Sequence, residues 1–185
     1  MDNVAFATLC SRAWSLPVLA PLAGQPRLGA RISPTAHALG AGRQSISATF
    51  AHLGELGLLE RMPGHGHPLR PEARLSEAGA AVAAWAQPFW AFLEPDERAT
   101  ARRAWTLPVL RVARDMRSFG ELRCELSPVT DRALALCLKR LVAQRLLRRD
   151  VDGAQRPPRV TYVGSGRGAA LSDALQATQR LGSTS

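Results

Sequence analysis

Arg12-Ala13-Trp14-Ser15-Leu16-Pro17-Val18-Leu19 returns 91 residues later as Arg103-Ala104-Trp105-Thr106-Leu107-Pro108-Val109-Leu110. Seven of the eight positions are identical, and the eighth exchanges Ser for Thr. A match that includes Trp and Pro is a poor candidate for chance, so the chain reads as an internal duplication. Ser15 or Thr106 offers a hydroxyl to cap a helix N-terminus. Pro17 or Pro108 then falls in the first turn, where its missing N–H is harmless. Trp14 and Trp105 are expected just ahead of each helix as apolar anchors.

Working outward, Phe50-Ala-His-Leu-Gly-Glu-Leu-Gly-Leu-Leu-Glu-Arg61 aligns with Leu138-Lys-Arg-Leu-Val-Ala-Gln-Arg-Leu-Leu-Arg-Arg149 at an offset of 88. The fall from 91 to 88 places about three extra residues in the first copy, between Leu28 and Pro34. Each copy continues into a stretch containing Pro and Gly, Met62–Pro71 and Asp152–Pro158, which suits a hairpin tip between short strands. Each then ends in an Ala-rich helical segment, roughly 77–90 and 168–181. Two domains are expected, 1–94 and 95–185.

The chain of 185 residues is 46% hydrophobic, dominated by Leu and Ala, with few β-branched or aromatic residues. The expected fold class is mainly α with small β wings (α+β). Residues 1–95 carry 7 Lys and Arg against 6 Asp and Glu, whereas residues 96–185 carry 17 against 9. Only Lys139 among the 24 basic residues is not Arg. A coding bias accounts for that ratio but not for a net +8 in one half, which points to a polyanionic partner.

The first copy contains Ala36-His-Ala-Leu-Gly40-Ala-Gly-Arg-Gln-Ser-Ile46, the spacing of a helix-turn-helix. Ala36 lets two helices approach closely, and Gly40 accepts the positive φ of the turn between them. Ile46, Phe50 and Leu53 recur at i, i+4 and i+7, one face of a helix. Arg43, Gln44, Ser47 and His52 are expected on the opposite face. In the second copy Thr130 caps a helix in which Leu134, Leu138 and Leu141 repeat the buried spacing, with Arg132, Lys139 and Arg140 outward.

The order Trp…Leu-Pro-Val-Leu, Phe119-Gly-Glu-Leu-Arg, Thr130-Asp-Arg-x-Leu and Pro157-Pro-Arg-Val-Thr-Tyr162 resembles the HxlR-type winged-helix regulators. The first copy is similar in fold, with a helix-turn-helix closer to the MarR-type pattern and a wing-closing Leu75-Ser-Glu-Ala-Gly79 found in both families. The resemblance implies two tandem winged helix-turn-helix domains forming a pseudo-dimer. It further implies a bacterial-type, sequence-specific regulator of transcription bound to double-stranded DNA. Members use paired recognition helices on half-sites one helical turn apart, roughly 34–36 Å. On this resemblance Arg43, Gln44, Ser45 and Ser47 form the first reading set. Thr130, Asp131, Arg132 and Ala135 form the second, with Lys139 nearer the phosphates. The wing residues are His65, His67 and Arg70 in one copy, and Arg156 and Arg159 in the other.

The alternative is a winged-helix protein-interaction module of a regulatory complex, or a chain that self-associates. A net charge of only +1 favours that role for the first copy. His65 and His67 lie in a glycine-rich tip without thiolates or carboxylates at ligand spacing, so neither metal nor other cofactor is expected. Cys10, Cys124 and Cys137 form no CxxC pair and no disulfide framework; Cys10 as a redox sensor ranks below a packed thiol. Gly164-Ser-Gly-Arg-Gly168 lacks the Lys-Ser/Thr ending of a nucleotide loop and reads as a strand-to-helix turn. No catalytic constellation stands out, so the chain is not expected to be an enzyme. Binding of a structured RNA would need exposed aromatics for stacking, and with Tyr162 the only Tyr and the Trp residues placed as core anchors the sequence does not offer them. With no signal peptide and no transmembrane run, a cytoplasmic, nucleoid-associated protein without membrane contact is expected.

Overall fold

The computed structural model describes residues 1–25, 29–62, 72–154, 156 and 158–181. The chain forms α1 (Asn3–Leu9), α2 (Ser15–Leu19) with a 3-10 turn (Ala20–Leu22), α3 (Ile32–Leu39), α4 (Arg43–Glu55), β1 (Leu59–Met62), β2 (Glu72–Leu75), α5 (Glu77–Phe92) and α6 (Pro95–Ala101). It continues through α7 (Thr106–Val112), β3 (Arg117–Ser118), α8 (Phe119–Glu125), α9 (Asp131–Ala143), β4 (Leu147–Asp152), β5 (Arg159–Gly164), α10 (Arg167–Gln176) and a last 3-10 turn (Ala177–Arg180). The mixture of many helices with small antiparallel sheets is consistent with winged-helix folding.

Two compact units result, Arg12–Arg102 and the remainder, in which Met1–Ser11 joins the chain from Arg103 onward. These units divide the chain differently from the repeat limits 1–94 and 95–185. The leader helix of the first copy, α1, packs on α7 of the second, while α6, the second copy's leader, stays in the unit of the first.

In Arg12–Arg102, α5 packs over α2 and its 3-10 turn, burying Leu16, Val18, Leu19 and Leu22 against Val82, Ala83, Ala86 and Phe89. The N-caps of α2 and α7 are Trp14 and Trp105, with no side-chain cap bond. This corrects the assignment of the caps to Ser15 and Thr106. Both hydroxyls sit one residue later and are 1% exposed, turned into the core. Trp14 is half-buried, and the Arg102 guanidinium lies 4.6 Å above its ring. Such a stacked cation is attracted to the negative face of the ring.

In the other unit, α7 packs on α10. Ser172 Oγ, fully buried, donates to Leu110 O at 2.7 Å, and Gln176 Nε2 donates to Arg111 O at 2.9 Å. Arg111 is 4% exposed and anchors the N-terminal segment: Nη1 donates to Asp2 O at 3.1 Å and Nη2 to Met1 O at 2.6 Å. Phe6 of α1 lies beneath its guanidinium at 5.0 Å. Burial lowers the Arg111 pKa from its ordinary value, because desolvation penalises the charge more than Asp2 and Cys10 favour it.

The hairpins follow one plan. β1 pairs antiparallel with β2, Arg61 opposite Ala73, and β4 with β5, Arg149 opposite Tyr162. β3 adds a third strand, Arg117 opposite Tyr162; among the described residues the first copy has a bridge between Ala30 and Ala73 at the corresponding place. A conserved close approach follows each hairpin. A Cβ on Gly79 would collide with Leu58 O, and one on Gly168 with Leu146 O. Ser76 caps α5 by accepting from Gly79 N at 2.9 Å.

Candidate nucleic-acid interface

α3 ends at Gly40, whose φ of 58° turns the chain while Ala41 N bonds back to Ala36 O at 2.9 Å. Ala36 is buried at this approach, and α4 follows with Ile46, Thr49 and Leu53 inward. That inward set leaves Arg43, Gln44, Ser45 and Ser47 exposed along the opposite face. His52 is half-buried and departs from the outward placement expected of it. The residues His65, His67 and Arg70 lie outside the described residues.

α9 is built more firmly at its start. Thr130 Oγ1 accepts from Ala133 N at 3.3 Å, where α4 begins at Gly42 with no side-chain cap. Leu134, Cys137, Leu138 and Leu141 face inward, and Asp131, Arg132, Ala135 and Lys139 are exposed. Asp131 is occupied by Arg123, 2.8 Å away across from α8. Arg140 departs from expectation: it is half-buried, with Nε enclosed beside Cys137, because it lies on the flank of the helix nearest the core. Burial pushes the Cys137 thiol up to about 11. Cys10 is also buried and its pKa is raised by desolvation, which holds the thiol protonated and runs against a sensor role.

Arg156 and Arg159 are exposed on the second hairpin, with Arg159 Nη2 3.6 Å from Glu121. Glu121 is committed to the start of α8, accepting from Ser118 N and Oγ, and those bonds lower its pKa. The sequence reading missed three exposed residues on the same side chains' surroundings: Arg148, Arg149 and Leu136, the last 56% exposed in the middle of α9. The i, i+4, i+7 spacing of Leu134, Leu138 and Leu141 already excludes Leu136 from the buried face. The basic pair follows from placing residues 147–152 on a strand. Arg148 is held by Asp150 at 2.9 Å.

Arg132 and Lys139 on α9 and Arg149, Arg156 and Arg159 on the second hairpin are all exposed cations within one unit. Residues 101–185 match the HxlR-like helix-turn-helix family model. The match covers the second copy. Proteins of the HxlR-like family are typically DNA-binding regulators of transcription rather than enzymes, and the matched segment supports an HxlR-type regulator. No curated protein matches the chain. Among the described residues no group of three or more His, Cys, Asp and Glu could hold a metal ion, and no helix is long and apolar enough to cross a membrane.

Proposed function

We propose that the chain is a sequence-specific double-stranded DNA-binding regulator of transcription, in which two winged-helix copies form a pseudo-dimer with unlike halves. The observation that carries the reading is the α9 face of the HxlR-like segment, where Arg132, Ala135 and Lys139 are exposed beside a hairpin rich in Arg. In this reading α9 enters the major groove, Arg132 reads a base edge, and Lys139, Arg149, Arg156 and Arg159 meet phosphates. Thr130 and Asp131 fix the helix start, with Asp131 tied to Arg123.

The first copy contributes Arg43, Gln44, Ser45 and Ser47 on α4, together with His65, His67 and Arg70 of its wing, to a weaker second half-site. The exchanged leader helices α1 and α6 favour an internal pair, since each copy lends a helix to the other's unit. The protein acts in the cytoplasm, associated with the nucleoid.

The test is binding to genomic fragments across salt. Release of counterions from about six phosphate contacts lowers affinity roughly a thousandfold between 50 and 200 mM salt. Binding that ignores salt, or no binding at low salt, refutes the reading. Selection of bound DNA is expected to return an asymmetric site with one strong half, and a perfect palindrome would contradict the unlike halves.

A second reading, docking of a protein partner, is favoured for the first copy alone by Glu60, which stands on its hairpin where the second copy has Arg148. A pulldown that recovers a protein but enriches no DNA supports it.

A further inference from the structure

Leu136 is the most exposed large apolar side chain among the described residues, at 56%, and it stands in the middle of α9. Leu134, Cys137, Leu138 and Leu141 already fill the inward face, so the packing of the helix does not call for it. The aligned residue of α4 makes the same point. It is Ala48, also exposed, so a methyl group suffices at this place in the fold. A leucine left in water there keeps apolar surface that only a partner can cover.

Its neighbours on the helix say what kind of partner. Residues three or four apart lie side by side on a helix surface. Arg132 precedes Leu136 by one such step and Lys139 follows it by another, with exposed Ala135 beside them. The acid at the start of the helix, Asp131, is held by Arg123 at 2.8 Å. The outward face therefore presents two cations with an apolar centre between them. The major groove of duplex DNA has the matching chemistry. Phosphates run along both of its walls, and the C5-methyl of thymine is the apolar group that a base edge displays there.

We propose that Leu136 selects thymine, its side chain packing on the C5-methyl group of one thymine in the major groove. The inference rests on the DNA-binding reading and adds to it the base that this position prefers. Four residues advance a helix by about 6 Å. Against a spacing of about 3.4 Å per base pair, the thymine lies roughly one or two pairs from the base that Arg132 meets.

The experiment measures fluorescence anisotropy of the full chain on the DNA site recovered by selection. Each thymine of the strong half-site is replaced in turn by uracil, which lacks only the methyl group. One replacement is expected to weaken binding about fourfold, the worth of burying one methyl group, and the others less than about twofold. Leu136→Ala should bind the thymine site about fourfold or more weakly and no longer distinguish it from the uracil site, a non-additivity that marks direct contact. Leu136→Met, which restores an apolar reach, should recover the distinction. The uracil series uses the unaltered chain, so it decides the question even if a variant folds poorly. A strong half-site without thymine, no replacement that weakens the unaltered chain more than about twofold, or a full gap retained by Leu136→Ala overturns the proposal. Salt-dependent binding alongside any of these results leaves the DNA reading standing, whereas no salt-dependent binding at all refutes both.

Discussion

The two copies share their inner surfaces and differ on their outer ones. Ile46 and Leu53 of α4 and Leu134 and Leu141 of α9 are all 0% exposed, at the same helical spacing. Outward, Gln44 stands where the second copy has Arg132, Ala51 where it has Lys139, and Glu60 where it has Arg148. Packing punishes almost any change of volume in the core, whereas a solvated face tolerates substitution until a partner constrains it. The two segments thus keep matching buried positions while their exposed positions differ in charge. The more basic of the two faces lies in the segment that matches the HxlR-like family model.

The sharpest test of the shared interior is Gly79→Ala beside Gly168→Ala. Each added methyl meets a main-chain oxygen, Leu58 O or Leu146 O, which cannot rotate away. Each variant is expected to lose about 3 kcal/mol in urea unfolding, the upper end of overpacking costs. Similar losses in the two copies support one packing plan; a loss confined to one copy breaks the comparison.

The outer faces are expected to respond unequally. Arg132→Ala should cost about 2 kcal/mol of DNA affinity and relax sequence preference, as the loss of a base-reading Arg does. Gln44→Ala, at the aligned position, should cost less than about 0.5 kcal/mol if the first copy holds the weaker half-site. Lys139→Ala should weaken binding on every sequence and lower the salt slope by about 1, the signature of a phosphate contact. Fluorescence anisotropy on the selected site reads all three. A larger loss from Gln44→Ala than from Arg132→Ala would move the strong half-site to the first copy and overturn the assignment.

Much of this was legible in the sequence because it repeats. The Trp-Ser/Thr-Leu-Pro-Val-Leu match located α2 and α7, and apolar spacing set the inward face of α9; on α4 it placed Ile46 and Leu53, but Phe50 is half-buried and Thr49 takes the buried position. Gly40 announced the turn between α3 and α4 by the conformation it alone adopts easily. The exchange of α1 and α6 was not legible, since it depends on Arg111 reaching the carbonyls of Met1 and Asp2, 110 and 109 residues away. The position aligned with Arg111 is Ala20, so the repeat itself gave no hint of the anchor. Ser15 and Thr106 were misread as caps because a hydroxyl before a helix suits either a cap or a buried first turn.

A modest effect on stability is expected at one backbone position that both copies use. Gly57 and Arg145 follow α4 and α9 with φ of 68° and 58°, and in each copy the next N–H returns to the helix, Leu58 N to Leu53 O and Leu146 N to Leu141 O, both at 2.9 Å. This is the left-handed helix exit that glycine adopts without a Cβ penalty. No atom lies within 4 Å of a Cβ built on Gly57, so the cost of a side chain there is conformational rather than steric crowding. Gly57→Arg should therefore lose about 1 kcal/mol, and Arg145→Gly should gain somewhat less, because glycine also gives up more entropy on folding. Urea unfolding measures both. Measuring DNA affinity on the same Arg145→Gly protein then separates two causes for the strained residue. A stabilised variant with unchanged affinity shows an exit position without a role in binding. One that gains stability but binds more weakly at low salt shows that the second copy accepts backbone strain to hold one more cation beside its hairpin.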